Sequence, residues 1–198
     1  MMTVGTVALG IILCGLGAIT AVGVWMGRRY GFRPWALSLD DSAEGLAGRA
    51  FTFAATLLVA ALAAGALSAD AAGALGVVPI LAGPALARAG VGLIVLGIAL
   101  VIAAQCSMRQ SWRIGIPRGE TPVLVRTGPF VFSRNPIFLG MLATAGGVVL
   151  VLPTAVTLAA FAVAVLAAGV QVRMEEEFLT ARLGEDYLQY RASVRRWL

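Results

Sequence analysis

Two clusters of reactive side chains stand out in a chain otherwise poor in charge. Arg134-Asn135 precedes one apolar stretch, and Glu175-Glu176-Glu177 follows the next. A guanidinium forks onto a carboxylate, an amide both donates and accepts, and a carboxylate takes ammonium or hydroxyl groups. A pocket built from these groups could bring a water-soluble cofactor to a lipid-borne substrate. Three acids at the end of a helix oppose its dipole and repel one another. Either solvation at the interface or the start of a new helix accommodates them, or a partner with positive charge or hydroxyl donors compensates, for which Arg134 is the candidate. The chain has no His, which excludes His-based triads, His proton shuttles and His metal ligands. Cys14 and Cys106 lie within or at the end of apolar runs without metal-type spacing. Neither a disulfide nor a metal site is expected.

These groups need elements to bring them together. The 198 residues are 60% hydrophobic and 13% charged, with mean hydropathy +0.91. Soluble domains carry roughly 25% charge. Several apolar runs approach or exceed the roughly 20 residues that cross a bilayer. The composition predicts an all-α polytopic membrane protein with about five transmembrane helices and a C-terminal helical hairpin. It forms one domain over 1–198, with N-terminal membrane helices in 1–106 and the site-bearing region in 107–198.

Helices are predicted at Val4–Met26, Ala50–Leu67 and Ala85–Cys106. A fourth starts at Pro136, where proline suits a first turn. It turns at Leu152-Pro153-Thr154, and a fifth returns to Val172. The last two are short for a full span. As a hairpin they bring Arg134-Asn135 near Glu175-Glu176. Gly140, Thr144 and Gly147 recur on one face of the fourth helix, and Gly169 with many alanines lies on the fifth. Such small residues let membrane helices approach closely. In the tail, Leu179, Leu183, Tyr187, Tyr190 and Val194 read as one apolar stripe of a helix lying on the membrane or over the pocket.

All 15 basic residues are Arg. They fill the loop after the first helix (Arg28, Arg29, Arg33), the stretch Arg109–Arg134 and the tail. Ser68–Pro84 and the 152–154 turn have none. The positive-inside rule then puts the N-terminus outside and the C-terminus in the cytoplasm, as in a bacterial-type inner membrane. Basic residues so placed contact anionic headgroups rather than nucleic acid. The N-terminal run is long and lacks a basic leader, so it reads as a retained helix. Arg195-Arg196-Trp197 reads as an interfacial anchor. Trp112 reads as another.

Four segments, in order, resemble the isoprenylcysteine carboxyl methyltransferase family, to which phospholipid N-methyltransferases look related. They are Val123-Leu124-Val125-Arg126-Thr127-Gly128-Pro129-Phe130, Arg134-Asn135-Pro136-Ile137-Phe138-Leu139-Gly140, Glu175-Glu176 and Leu183-Gly184-Glu185-Asp186-Tyr187. The resemblance covers about 75 residues of the C-terminal part. It implies S-adenosylmethionine as methyl donor, held at the cytoplasmic end of the hairpin by Arg134, Asn135, Pro136, Phe138, Gly140, Glu175 and Glu176. Val125, Gly128 and Phe130 would close one side and Tyr187 another. Arg134, Asn135 and Glu176 are the implied catalytic residues, and Trp112 and Arg113 the implied substrate contacts.

The implied acceptor is lipophilic, a carboxylate such as that of a prenylated cysteine, reached sideways from the membrane lipids without a metal. Asn135 stands where the family has His, and Phe130 and Phe138 where it has Tyr. Asn cannot act as a base. Methylating a carboxylate removes no proton, whereas methylating an amine does. Phospholipid N-methylation, a sterol-reductase-like activity and a non-catalytic scaffold are the rival readings.

Overall fold

The computed structural model describes residues 3–31, 42–109 and 122–198. These residues form helices α1 (Val4–Tyr30), α2 (Ala43–Leu67), α3 (Ala69–Ala74), α4 (Pro84–Met108), α5 (Pro136–Val151), α6 (Ala155–Leu183) and α7 (Glu185–Ser193), with 3-10 turns at Pro79–Leu81 and Gly128–Val131. No strand occurs among the described residues. Helices α1, α2, α4 and α6 are long and apolar enough to cross a membrane. Large apolar side chains such as Leu67, Leu96 and Leu166 point outward from the bundle, as lipid-facing residues do. The protein is thus an all-α polytopic membrane protein.

The helix starts follow local chemistry. Thr3, Ser42 and Ser68 cap α1, α2 and α3 with their hydroxyls. Pro84 and Pro136 occupy the first turns of α4 and α5. Thr154 and Thr157 close a reciprocal capping box at the start of α6. Both threonines are buried, and the Thr157 hydroxyl also donates to the Leu152 carbonyl at 2.7 Å. This fixes the 152–154 turn. Val78 N–H donates to Pro153 O at 2.8 Å, and Ala155 N–H to Gly76 O at 2.7 Å. The 76–78 connection therefore lies at the same end of the bundle as that turn, away from Arg134 and Glu176.

Two expected boundaries move. The last long helix runs 29 residues instead of ending at Val172. Glu175, Glu176 and Glu177 therefore sit inside α6 with two further turns beyond them, and their charge no longer faces the helix's negative end. The tail stripe is interrupted at Gly184, whose φ of 53° favours glycine. Tyr187 and Tyr190 belong to the separate helix α7. α5 is short as expected, at 16 residues or about 24 Å, against a hydrocarbon core of about 30 Å.

The small-residue face of α5 does mediate packing, and its partner is α4 rather than α6. A Cβ built on Gly140 would fall 2.6 Å from the Gly97 carbonyl oxygen, and one on Gly147 2.6 Å from that of Gly90. Reciprocally, a Cβ on Gly97 would fall 2.5 Å from the Gly140 carbonyl oxygen. Two glycine pairs thus bring the α4 and α5 backbones into direct contact. α6 packs chiefly on α2, burying Ala160, Ala164, Ala167 and Ala168. Gly169 is the exception to the expected pattern, since a Cβ there would meet nothing within 4 Å.

Gly97→Ala must separate two backbones, and overpacking of this kind costs about 1–3 kcal/mol. Its thermal midpoint in detergent should fall clearly, while Gly169→Ala stays at the wild-type value. Equal midpoints for the two variants would mean that the α4–α5 contact is looser than described.

Candidate functional site

The antiparallel α4–α5 contact sets the depth of the site. With Gly97 against Gly140 and Gly90 against Gly147, Pro136 lies level with about Val101. α4 then continues about two turns beyond it, to Met108. The start of α5 is therefore recessed below the ends of its neighbours. The turn Gly128–Val131 and the C-terminal segment fill this recess. Gly128, at φ 61°, sits so close to Ser107 of α4 that a Cβ would collide with its hydroxyl.

Glu176 projects from α6 into this recess and is 4% exposed. Arg134 Nε and Nη2 donate to its Oε1 at 3.1 and 3.0 Å. Asn135 Nδ2 donates to the same oxygen at 3.4 Å. Arg196 Nη2 donates to Oε2 at 2.8 Å, and its Nε spans both oxygens at 3.2 Å. A carboxylate has about four lone-pair sites, so Glu176 is saturated. The carboxylate in turn holds the Arg196 guanidinium above its ordinary pKa.

The same side chains bind the tail. Arg134 Nη1 donates to the carbonyls of Arg191 and Val194 at 2.8 and 3.0 Å. The Arg134 N–H donates to Arg195 O at 2.9 Å. Asn135 Nδ2 and Ser133 Oγ both donate to Arg196 O, at 3.1 and 3.3 Å. Asn135 stands at the N-cap of α5, a position where its side chain would ordinarily cap the helix. It makes no capping bond, because its amide is turned to Glu176 and the tail.

The two tyrosines complete the wall. Tyr190 O–H donates to Phe130 O at 2.7 Å, and Arg126 lies 5.9 Å over its ring. Arg126 also donates to Asp186 O at 2.6 Å. Tyr187 is buried, 6.1 Å from Tyr190 between ring centroids. Burial pushes both phenols up to about 12, and the Glu176 charge adds to the effect at Tyr187. Both therefore stay protonated at neutral pH.

The structure brings Arg134, Asn135, Phe130, Pro136, Glu176 and Tyr187 into one neighbourhood, with Val125 and Gly128 on the segment leading into it. The cation expected for the acid run is indeed Arg134, and it pairs with Glu176. Phe138 points toward α2, with its ring edge-on to Phe51 at 6.2 Å. The close approach that Gly140 permits is to α4. Glu175 is half-buried and makes no hydrogen bond or ion pair with a described residue. Its neighbours include the like charges of Glu176 and of Glu44 on α2. Trp112 and Arg113 lie outside the described residues, as do Arg33, Asp40 and Asp41.

Three groups escaped the reading of the sequence. Arg196 was expected to be an interfacial anchor, yet it turns inward to Glu176. The signal was available: a buried acid run demands more than one cation. Gln171, one turn before Glu175 on α6, buries its Oε1 without a partner among the described residues, and so does Gln105 on α4. Nothing in the local sequence distinguishes these glutamines from packing residues.

Arg134 makes four hydrogen bonds in fixed directions, which a single ammonium cannot reproduce. Arg134→Lys should lower the thermal midpoint. Arg134→Met should lower it further, since leaving one buried partner unpaired costs about 3–5 kcal/mol. A lysine variant as stable as wild type would mean that charge alone, without the fork, holds the site.

Residues 86–186 match the model of the phospholipid methyltransferase family. No curated protein and no solved structure gives a match. The matched stretch is just over half of the chain, and it runs from the glycine-paired helices α4 and α5 through the Glu176 cluster to the start of α7. The chain belongs to the phospholipid methyltransferase family.

Proposed function

We propose that the chain transfers a methyl group from S-adenosylmethionine to a lipid-borne acceptor at the Glu176 end of the bundle. The observation that carries this reading is the placement of the cluster. Arg134, Asn135 and Glu176 meet at one end of a membrane-spanning bundle, with Glu175 next in sequence, where a soluble molecule and a lipid headgroup can both arrive. Family membership supports methyl transfer as the chemistry.

The residues present fit such a donor. It has an ammonium, a ribose diol and a sulfonium, all of which call for acceptors or negative charge. Among the described residues, the buried Oε1 atoms of Gln171 and Gln105 are acceptors without partners, and Glu175 makes no hydrogen bond or ion pair. Bound there, S-adenosylmethionine would supply an activated methyl group. The chain's own part is then alignment and exclusion of water, and orientation of this kind can contribute roughly 7–11 kcal/mol. Phe130 offers apolar surface, and Tyr187 and Tyr190 of α7 close one side. In this reading the Arg-rich end, with the C-terminus, faces the cytoplasm of a bacterial-type cell.

Two acceptors are in contention. O-methylation of a carboxylate, such as that of isoprenylcysteine, needs no base, and the site has no His. N-methylation of a phospholipid amine is favoured by a specific observation. Glu175 lies close to the like-charged Glu176 and Glu44, and a ligand ammonium relieves that repulsion where a carboxylate adds to it.

Calorimetric titration of the purified protein should show binding of S-adenosylmethionine and S-adenosylhomocysteine but not NADPH. Transfer of labelled methyl from the donor should then be compared between vesicles containing phosphatidylethanolamine and a farnesylated cysteine. Label in the amine lipid selects the second acceptor, and label in the prenylcysteine the first. Absence of donor binding would remove the enzyme reading and leave a membrane scaffold that keeps the fold.

A further inference from the structure

The two adjacent acids of α6 live in opposite surroundings. Glu176 is 4% exposed and receives hydrogen bonds from Arg134, Asn135 and Arg196. Every one of those donors belongs to, or also binds, the C-terminal segment. Arg134 and Asn135 reach the carbonyls of Arg191, Val194 and Arg196. Among the described residues, the Arg196 side chain donates only to Glu176. Glu175, by contrast, has no such partner among the described residues. One turn earlier on the same helical face, Gln171 Oε1 is buried and equally unpartnered.

Resting on the methyltransferase reading, we infer that Glu176 is the anchor that seats the C-terminal segment, with Arg196 as its positioning residue, and that Gln171 and Glu175 are the ligand-facing groups of α6. A saturated carboxylate has no lone pair left for an ammonium or a ribose hydroxyl unless an arginine leaves. Arg134 is tied to two carbonyls as well as to Glu176, so it is not free to leave. Arg196 is 35% exposed, yet its departure would strip Oε2 of its donors and release the strand of tail that walls the site. Gln171 and Glu175 pose no such conflict. They offer acceptors only, so the group they take is a hydrogen-bond donor or cation, of which an ammonium is the common form. Both S-adenosylmethionine and an amine headgroup carry one.

The test uses the full chain in lipid nanodiscs, with two readouts. Hydrogen exchange of the 185–198 segment reports the anchor, and titration with S-adenosylmethionine reports the ligand face. Arg196→Met should speed exchange of that segment by about tenfold or more, and Arg196→Lys should restore part of the protection. Glu176→Gln should act in the same direction. Glu175→Gln and Gln171→Leu should leave exchange unchanged. They should weaken donor binding about tenfold, the order expected for one lost hydrogen bond to a charged group. A rise in the amine-lipid KM at saturating donor, with donor affinity intact, would instead assign the ammonium to the acceptor lipid, and the pair would still be ligand-facing.

Three results would overturn the inference. One is wild-type protection of the tail in both Arg196→Met and Glu176→Gln. Another is tighter donor binding in Arg196→Met, which would make Arg196 a plug on a ligand-binding Glu176. The third is unchanged donor affinity and lipid KM in both Glu175→Gln and Gln171→Leu. Should the wild-type chain fail to bind S-adenosylmethionine, the proposed function falls, while the exchange arm still decides the role of Glu176.

Discussion

A carboxylate withdrawn from water at the end of a membrane helix has to be neutralised, and most of what surrounds Glu176 follows from that requirement. Its charge draws Arg134 and Asn135 from the turn before α5 and Arg196 from the C-terminal segment. One anion thereby holds three pieces of chain that are far apart in sequence. Such a cluster adds little net stability, because desolvating the ions offsets much of their attraction. Its value lies in specificity. Removing any one partner strands a buried charge, so alternative placements of the tail are disfavoured. The missing cap on α5 is one local cost of this arrangement.

The scaffold makes the cluster possible by controlling depth. Glycine pairs lock α4 to α5 at backbone distance, and a 16-residue α5 cannot reach as far as its neighbours. The recess left at its start is where backbone and side-chain polar groups can gather without meeting lipid. Irregular backbone at membrane depth is tolerated only when it is buried in protein or lines a water-filled cavity. The 3-10 turn at Gly128–Val131 and the segment after α7 supply that cover, and Tyr190 O–H pins α7 to that turn through Phe130 O. Helix length, glycine spacing and tail attachment are in this sense one constraint seen at three levels.

Much of this was legible in the residues. Hydropathy and length give the long helices, because a bilayer imposes the same demand on every span. Pro136 and Leu152-Pro153-Thr154 mark the ends of α5, because proline and threonine act on the backbone next to them. The pairing of Arg134 with the acid run follows from hairpin geometry and charge. Long-range choices were less legible. The face Gly140-Thr144-Gly147 announces a close contact without naming the partner, and α4 carries its own glycines at matching intervals. The continuation of α6 past Val172 was hidden because acids look like a terminus until their counter-ions are known. Arg196 was misread for the same reason. An arginine beside a terminal Trp has an interfacial signature, and only the buried Glu176 gives it another task.

Asn135, at the position where the isoprenylcysteine methyltransferase resemblance implies a His, can be weighed against this geometry. In this chain the side chain at 135 donates through one nitrogen to Glu176 Oε1 and to the Arg196 carbonyl. An amide performs that task at any pH, whereas an imidazole changes charge near neutrality. Asn135 therefore keeps its own bonds to the tail independent of pH, at the cost of a group that could accept a proton. If the acceptor is an amine, the proton must go elsewhere. Among the acids placed by α6, Glu176 is already committed to two guanidiniums and Glu177 faces outward. Glu175 is the carboxylate with room to receive it. A base supplied by α6 and a lock supplied by Asn135 would divide between two residues what one histidine can combine.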